Sequence, residues 1–183
     1  MALLYALVAR DVTIIVDSDR TDGINGQEIQ AMLTNIPTQF SSRVTYTSPR
    51  YLYHVLVDDG LIFLCCSEAS AKKELAFAML DAIKKEFETR PGMLRRARTA
   101  GTRELNGDFG PVLSDLLRSS NSGAGSSTEK VEALRSQVEG VKEIMMENVN
   151  KILERGDRLD ELMDKSVDLE LTVRTLEMSR SWD

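Results

Sequence analysis

Between residues 131 and 176 one pattern limits the chain more than any other. Val131, Leu134, Val138, Val141, Met145, Asn148, Ile152, Arg155, Leu159, Leu162, Ser166, Leu169, Val173 and Leu176 follow one another at steps that alternate 3 and 4 without an error. Eleven of these fourteen side chains are apolar. Such a spacing keeps one stripe of a helix turned toward a partner along its whole length, which is the seam of a coiled coil. Ile144, Val149 and Met163 flank the seam. They widen the stripe beyond what two strands need and suit a bundle of more helices. The pattern predicts one helix over residues 129–183, on the order of 80 Å long at full helical rise. Ser126, three residues before Glu129, has the spacing of a capping box that starts it.

One residue breaks the apolar run at its centre. Arg155 occupies a d position between Ile152 and Leu159. A buried guanidinium costs several kcal/mol unless other groups satisfy its charge and donors. One reading is an arginine that snorkels out to the rim. The other is a polar layer, in which partner chains supply amide or carboxylate oxygens and so fix register and composition. Asn148, two layers earlier, is a milder version of the same device.

The remainder of the chain has a different character. Nine of the ten aromatic residues and all four prolines lie before residue 112. Residues 1–120 carry 14 basic and 15 acidic side chains, whereas 121–183 carry 9 and 14. The first part is therefore read as a globular head over 1–118. Residues 119–128, Ser-Ser-Asn-Ser-Gly-Ala-Gly-Ser-Ser-Thr, are read as a flexible linker. The tail, 129–183, has no aromatic anchor until Trp182.

Within the head, apolar runs at 3–9 and 12–16 around a polar pair predict a hairpin. Ile29, Met32, Leu33 and Ile36 share one face of a helix over 27–36, stopped by Pro37. Short strands are expected at 44–46, 51–57 and 61–67, the last two joined by the turn Asp58-Asp59-Gly60. Helices should follow over 69–89 and 104–119. The expectation is an α+β domain: a five-stranded, mainly antiparallel sheet with three helices on its two faces.

Several function classes are excluded. A net charge of -6 lacks the basic footprint of a nucleic-acid binder. The single histidine, His54, stands in an expected strand without a nucleophile motif, and Cys65-Cys66 offer neither zinc spacing nor a thiol-enzyme motif. Gly23-Ile24-Asn25-Gly26 lacks the lysine of a phosphate loop. No catalytic residue, metal site or cofactor is expected. The apolar start has no preceding basic residue, which reads as a strand rather than a secretory signal, and Leu61–Cys66 is too short to span a bilayer. Arg90, Arg95, Arg96, Arg98 and Arg103 crowd one loop. They read as a solvated surface, with contact to acidic lipid or an acidic partner as the sharper alternative.

The stretch Met145-Met-Glu-Asn-Val-Asn-Lys-Ile-Leu-Glu-Arg-Gly-Asp-Arg-Leu159 resembles the centre of the R-SNARE motif, the vesicle-side helix of membrane-fusion complexes in the synaptobrevin/vesicle-associated membrane protein family. The opening Met1–Arg10, Tyr51–His54 and Lys84–Phe87 are similar to the longin domain, a profilin-like fold, of longin-type members. The resemblance implies a non-enzymatic protein of vesicle transport. Its motif would zipper with three glutamine SNARE helices into a parallel four-helix bundle. Arg155 would pair with the three glutamines, and the seam residues would form the layers around it.

Longin domains of this family act as folded-back brakes. That implies a groove of Met32, Leu33, Ile36, Val44 and Tyr46 that would receive part of 131–162, and an adaptor or regulator on the longin domain. Two features depart from the family pattern: Arg180 stands at the next layer, where a small or apolar residue is usual, and the sequence stops at Asp183 without a membrane anchor. As it stands the chain is expected to be soluble, at the cytoplasmic face of vesicles or endomembranes, touching membrane only indirectly. The alternative to all this is a self-associating coiled-coil adaptor with a globular head.

Overall fold

A computed structural model of the chain describes residues 2–122 and 144–155. The elements run β1 Leu3–Arg10, β2 Thr13–Asp17, α1 Gly26–Asn35, β3 Ser42–Thr47, β4 Tyr51–Asp58, β5 Leu61–Glu68, α2 Lys73–Thr89, α3 Met93–Ala97, α4 Asn106–Ser122 and β6 Met145–Asn148. Residues 149–155 are helical. The strands form one sheet in the order β2-β1-β5-β4-β3-β6, antiparallel throughout except for the parallel pair β3–β6.

Each local element has a local cause. Asn25 caps α1, its side-chain oxygen accepting from the backbone N–H groups of Gln27 at 3.0 Å and Glu28 at 3.4 Å. Asp59 and Gly60 both take positive φ, 48° and 76°, which matches the right-handed twist of the β4–β5 hairpin. The long buried strands β1 and β5 lie side by side at the sheet centre, where both faces are covered.

The two faces carry separate cores. One packs α2, α3 and α4 on the sheet, with Phe87 edge-on to Phe63 and Phe109. The other packs α1 on Tyr5, Leu7, Tyr53, Val55, Ile62 and Leu64. Tyr53 donates to Glu28 Oε2 at 2.7 Å and so ties α1 to the sheet. A polar cluster locks the start of α4: the buried Asp17 carboxylate accepts from Tyr5, Arg103 and Asn106.

Three features differ from the sequence reading. The sheet has six strands rather than five, because 145–148 is a strand where the seam predicted helix. The three expected helices are joined by a fourth, the short α3; the carbonyls of Ala97 at its end and of Ala100 just beyond it accept from the Arg10 guanidinium. Finally, α4 runs to Ser122, four residues into the expected linker. Asn121 explains the extension, since its amide accepts from Leu3 N at 2.9 Å and donates to Leu3 O at 2.8 Å. This pairing fastens the last turn of α4 to the start of β1.

His54 sits on the α2 face and joins three strands. Its Nδ1 meets Thr45 Oγ1 on β3 at 3.0 Å, and its Nε2 meets Ser67 Oγ on β5 at 2.9 Å. The ring lies edge-on to Phe77. Burial first, and the Lys73 charge second, push its pKa down from 6.5 to about 4. The folded chain therefore refuses a proton that the unfolded chain accepts, so this source of stability is full above pH 6.5 and is lost as pH falls toward 4. The loss amounts to about 3 kcal/mol. His54→Asn should be less stable at neutral pH and should flatten the pH dependence of the urea midpoint between those limits. An unchanged slope would show that His54 does not titrate on unfolding.

Candidate functional site

α1 and β3 leave an apolar groove at one side of the sheet. Ile29, Met32 and Leu33 come from the buried face of α1, Ile36 from its C-cap, and Val44 and Tyr46 from β3. As the last strand of the head's own sheet, β3 would present an open row of backbone donors and acceptors. β6 pairs with it in parallel, Val44 opposite Met145, Thr45 opposite Met146, Tyr46 opposite Glu147 and Thr47 opposite Asn148. Asn148 then accepts from Asn150 N at 2.9 Å, an N-cap geometry that starts the helical residues 149–155.

Those helical residues lie on the groove. Val149 and Ile152 are buried in the same cluster as Ile29, Met32, Leu33, Ile36, Val44 and Tyr46, with Leu153 partly buried beside them. Ile152 is 0% exposed. The structure therefore brings one seam residue, Ile152, together with all five groove residues. It does not bury the others that it describes. Met145 is 56% exposed and Asn148 is exposed. Arg155, at 54% exposure, ends against Glu147, its guanidinium 3.3 Å from Oε1. Val131, Leu134, Val138, Val141, Leu159, Leu162, Ser166, Leu169, Val173 and Leu176 lie outside the described residues.

The electrostatics of the groove follow from burial. Tyr46 is pushed up to about 12, mainly by desolvation, then by the Glu147 charge, with Arg155 opposing. Burial likewise raises both thiols, Cys66 to about 12 and Cys65 well above its ordinary value, so neither supplies a thiolate at neutral pH. Among the described residues no cluster of histidine, cysteine and carboxylates could hold a metal. Of the five crowded arginines, Arg96 pairs with Asp108, Arg103 with Asp17, and Arg90 stacks on Phe109.

Sequence reasoning missed three contributors, Ile29, Val149 and Glu147. Ile29 was visible, since it shares the helical face of Met32 and Leu33. Glu147 carried no signal, because its partners are set by the β3–β6 register.

The likeness to known proteins extends over nearly the whole chain. The Longin family, described as a regulated-SNARE-like domain, matches residues 16–113, and the Synaptobrevin family matches 130–178. Vesicle-associated membrane protein 7 of Mus musculus is 33% identical over 178 residues, spanning 96% of this chain and 79% of that protein. Vesicle-associated membrane protein 711 of Arabidopsis thaliana is 31% identical over 170 residues, spanning 93% and 76%. The chain belongs to the longin-type R-SNAREs of the vesicle-associated membrane protein family.

An R-SNARE of this family is a structural protein of SNARE-mediated vesicle fusion and not an enzyme. Its family are vesicle membrane proteins. No helix among the described residues is long and apolar enough to cross a membrane. The head of the R-SNARE is the longin domain, here with a sixth strand drawn from the SNARE segment.

The burial of Ile152 gives a direct test of the contact. Ile152→Ala removes methyl groups from a site with no solvent access, at a cost of about 2–5 kcal/mol. Backbone amides of 145–152 should exchange at rates close to those of an unfolded peptide in this variant, while β1 and β5 amides stay protected. Equal protection in wild type and variant would show that Ile152 does not hold the segment.

Proposed function

We propose that this R-SNARE drives fusion by zippering residues 129–183 with three glutamine SNARE helices, and that its longin domain restrains that reaction by holding part of the same segment. The chain then divides into a head over 1–118 that α4 extends to Ser122, a linker over the rest of 119–128, and the SNARE motif over 129–183. It works at the cytoplasmic face of vesicles or endomembranes. Arg155 is the centre of the bundle, paired with one glutamine from each partner, and the seam residues form the apolar layers on either side. Pairing with glutamines satisfies the donors of a guanidinium that would otherwise be costly to bury.

Ile152 carries the reading. The same side chain serves as the layer next to Arg155 in a bundle and as a core residue of the α1–β3 groove in the folded-back chain. It cannot occupy both places. Holding 144–155 on the head therefore blocks zippering across the centre of the motif. Burial of Val149 and Ile152 contributes about 1.5–3 kcal/mol each, and ordering the segment offsets much of it. The surplus is small enough for partners, or a regulator on the longin domain, to open the chain by population shift.

Mixing the full chain with three glutamine SNARE helices should raise helicity and yield a complex of one copy of each. Helicity that instead rises with the concentration of this chain alone would favour a self-associating adaptor. Val44→Ser with Tyr46→Ser should weaken the groove and speed assembly by about tenfold. Equal assembly rates for the double variant and wild type would sink the brake.

A further inference from the structure

Glu147 is held between opposing demands. Its backbone sits opposite Tyr46 in the β3–β6 ladder, and its side chain is only 22% exposed. One carboxylate oxygen meets Arg155; the other is buried with no hydrogen-bond partner among the described residues. The nearby Tyr46 hydroxyl lies in the field of both charges. Glu147 falls between the seam positions Met145 and Asn148, so in a bundle it points away from the layers. The head is thus what confines it.

We infer that Arg155 is a positioning residue in the closed chain: it supplies the countercharge that lets the head hold Glu147, a contact it must give up to enter the glutamine layer. The inference rests on the fold-back reading above. The pair is asymmetric. Arg155 is more than half exposed, so losing Glu147 returns the guanidinium to water at little cost. Losing Arg155 strands a largely buried carboxylate with no countercharge. A substitution at Arg155 made to probe the polar layer therefore also loosens the head, and the two effects separate only when Glu147 is changed as well.

Amide exchange of residues 144–155, measured in the full chain without partners, tests this. Arg155→Met should speed exchange by about fivefold or more, Glu147→Gln alone by less than about twofold, and the double variant should return to within about twofold of wild type. Rising ionic strength should speed exchange in wild type and not in Glu147→Gln. β1 amides serve as the control that the head stays folded. If Arg155→Met leaves a protected segment unmoved, or the double variant stays as open as Arg155→Met, the positioning role is wrong while the fold-back stands. If wild-type residues 144–155 already exchange at unfolded rates, both are wrong.

Discussion

The outer edge of β3 is the constraint on which the rest of this structure depends. A strand at the rim of a sheet offers unpaired donors and acceptors to whatever extended chain comes near. On its inner side β3 is fixed, with Thr45, His54 and Ser67 linked across three strands in the buried face. That fixed register decides which residues of an incoming strand face α1. With Glu147 opposite Tyr46, the chain beyond Asn148 rises on the α1 side, and Val149 and Ile152 enter the groove. Backbone pairing sets the address, and two apolar side chains supply much of the attraction.

Much of the head was legible in its sequence because its signals are local. Asp59-Gly60 marks a hairpin through backbone conformation, Pro37 stops α1, and the spacing of Ile29, Met32, Leu33 and Ile36 gives its buried face. The short α3 was not legible. It is held by Arg10, more than 80 residues away in sequence, reaching the carbonyls of Ala97 and Ala100. The length of α4 was hidden for a similar reason, since Asn121 in a run of serines and glycines looks like linker until Leu3 is beside it.

The tail posed a different problem. Its heptad seam is a strong signal, but it describes a helix among partners, and tertiary context can override that preference locally. At 145–148 the β3 edge does so. Met145, Met146, Glu147 and Asn148 include no β-branched residue, so nothing in their propensity announces a strand. One sequence is here compatible with two environments. Its apolar pattern satisfies the helical one, and the fixed register of β3 selects the other. The place of Arg155 within the seam is a matter of spacing; its contact with Glu147 has no sequence signal.

The Asn121 staple also determines where the chain leaves the head. It fixes the end of α4 beside β1, whereas β6 lies four strands away along the sheet, at roughly 4.8 Å per step. The sequence places 21 residues, 123–143, between these two points about 20 Å apart, several times less than an extended chain of that length could reach. Their number then acts like a dial on the local concentration of the segment at its groove. Lengthening or trimming the part that precedes the seam, 123–128, would shift closure by about 0.6 kcal/mol per doubling without altering a seam or groove residue. Related chains could therefore keep the same groove and the same seam and still differ in readiness to fuse, through insertions that leave every interface residue in place.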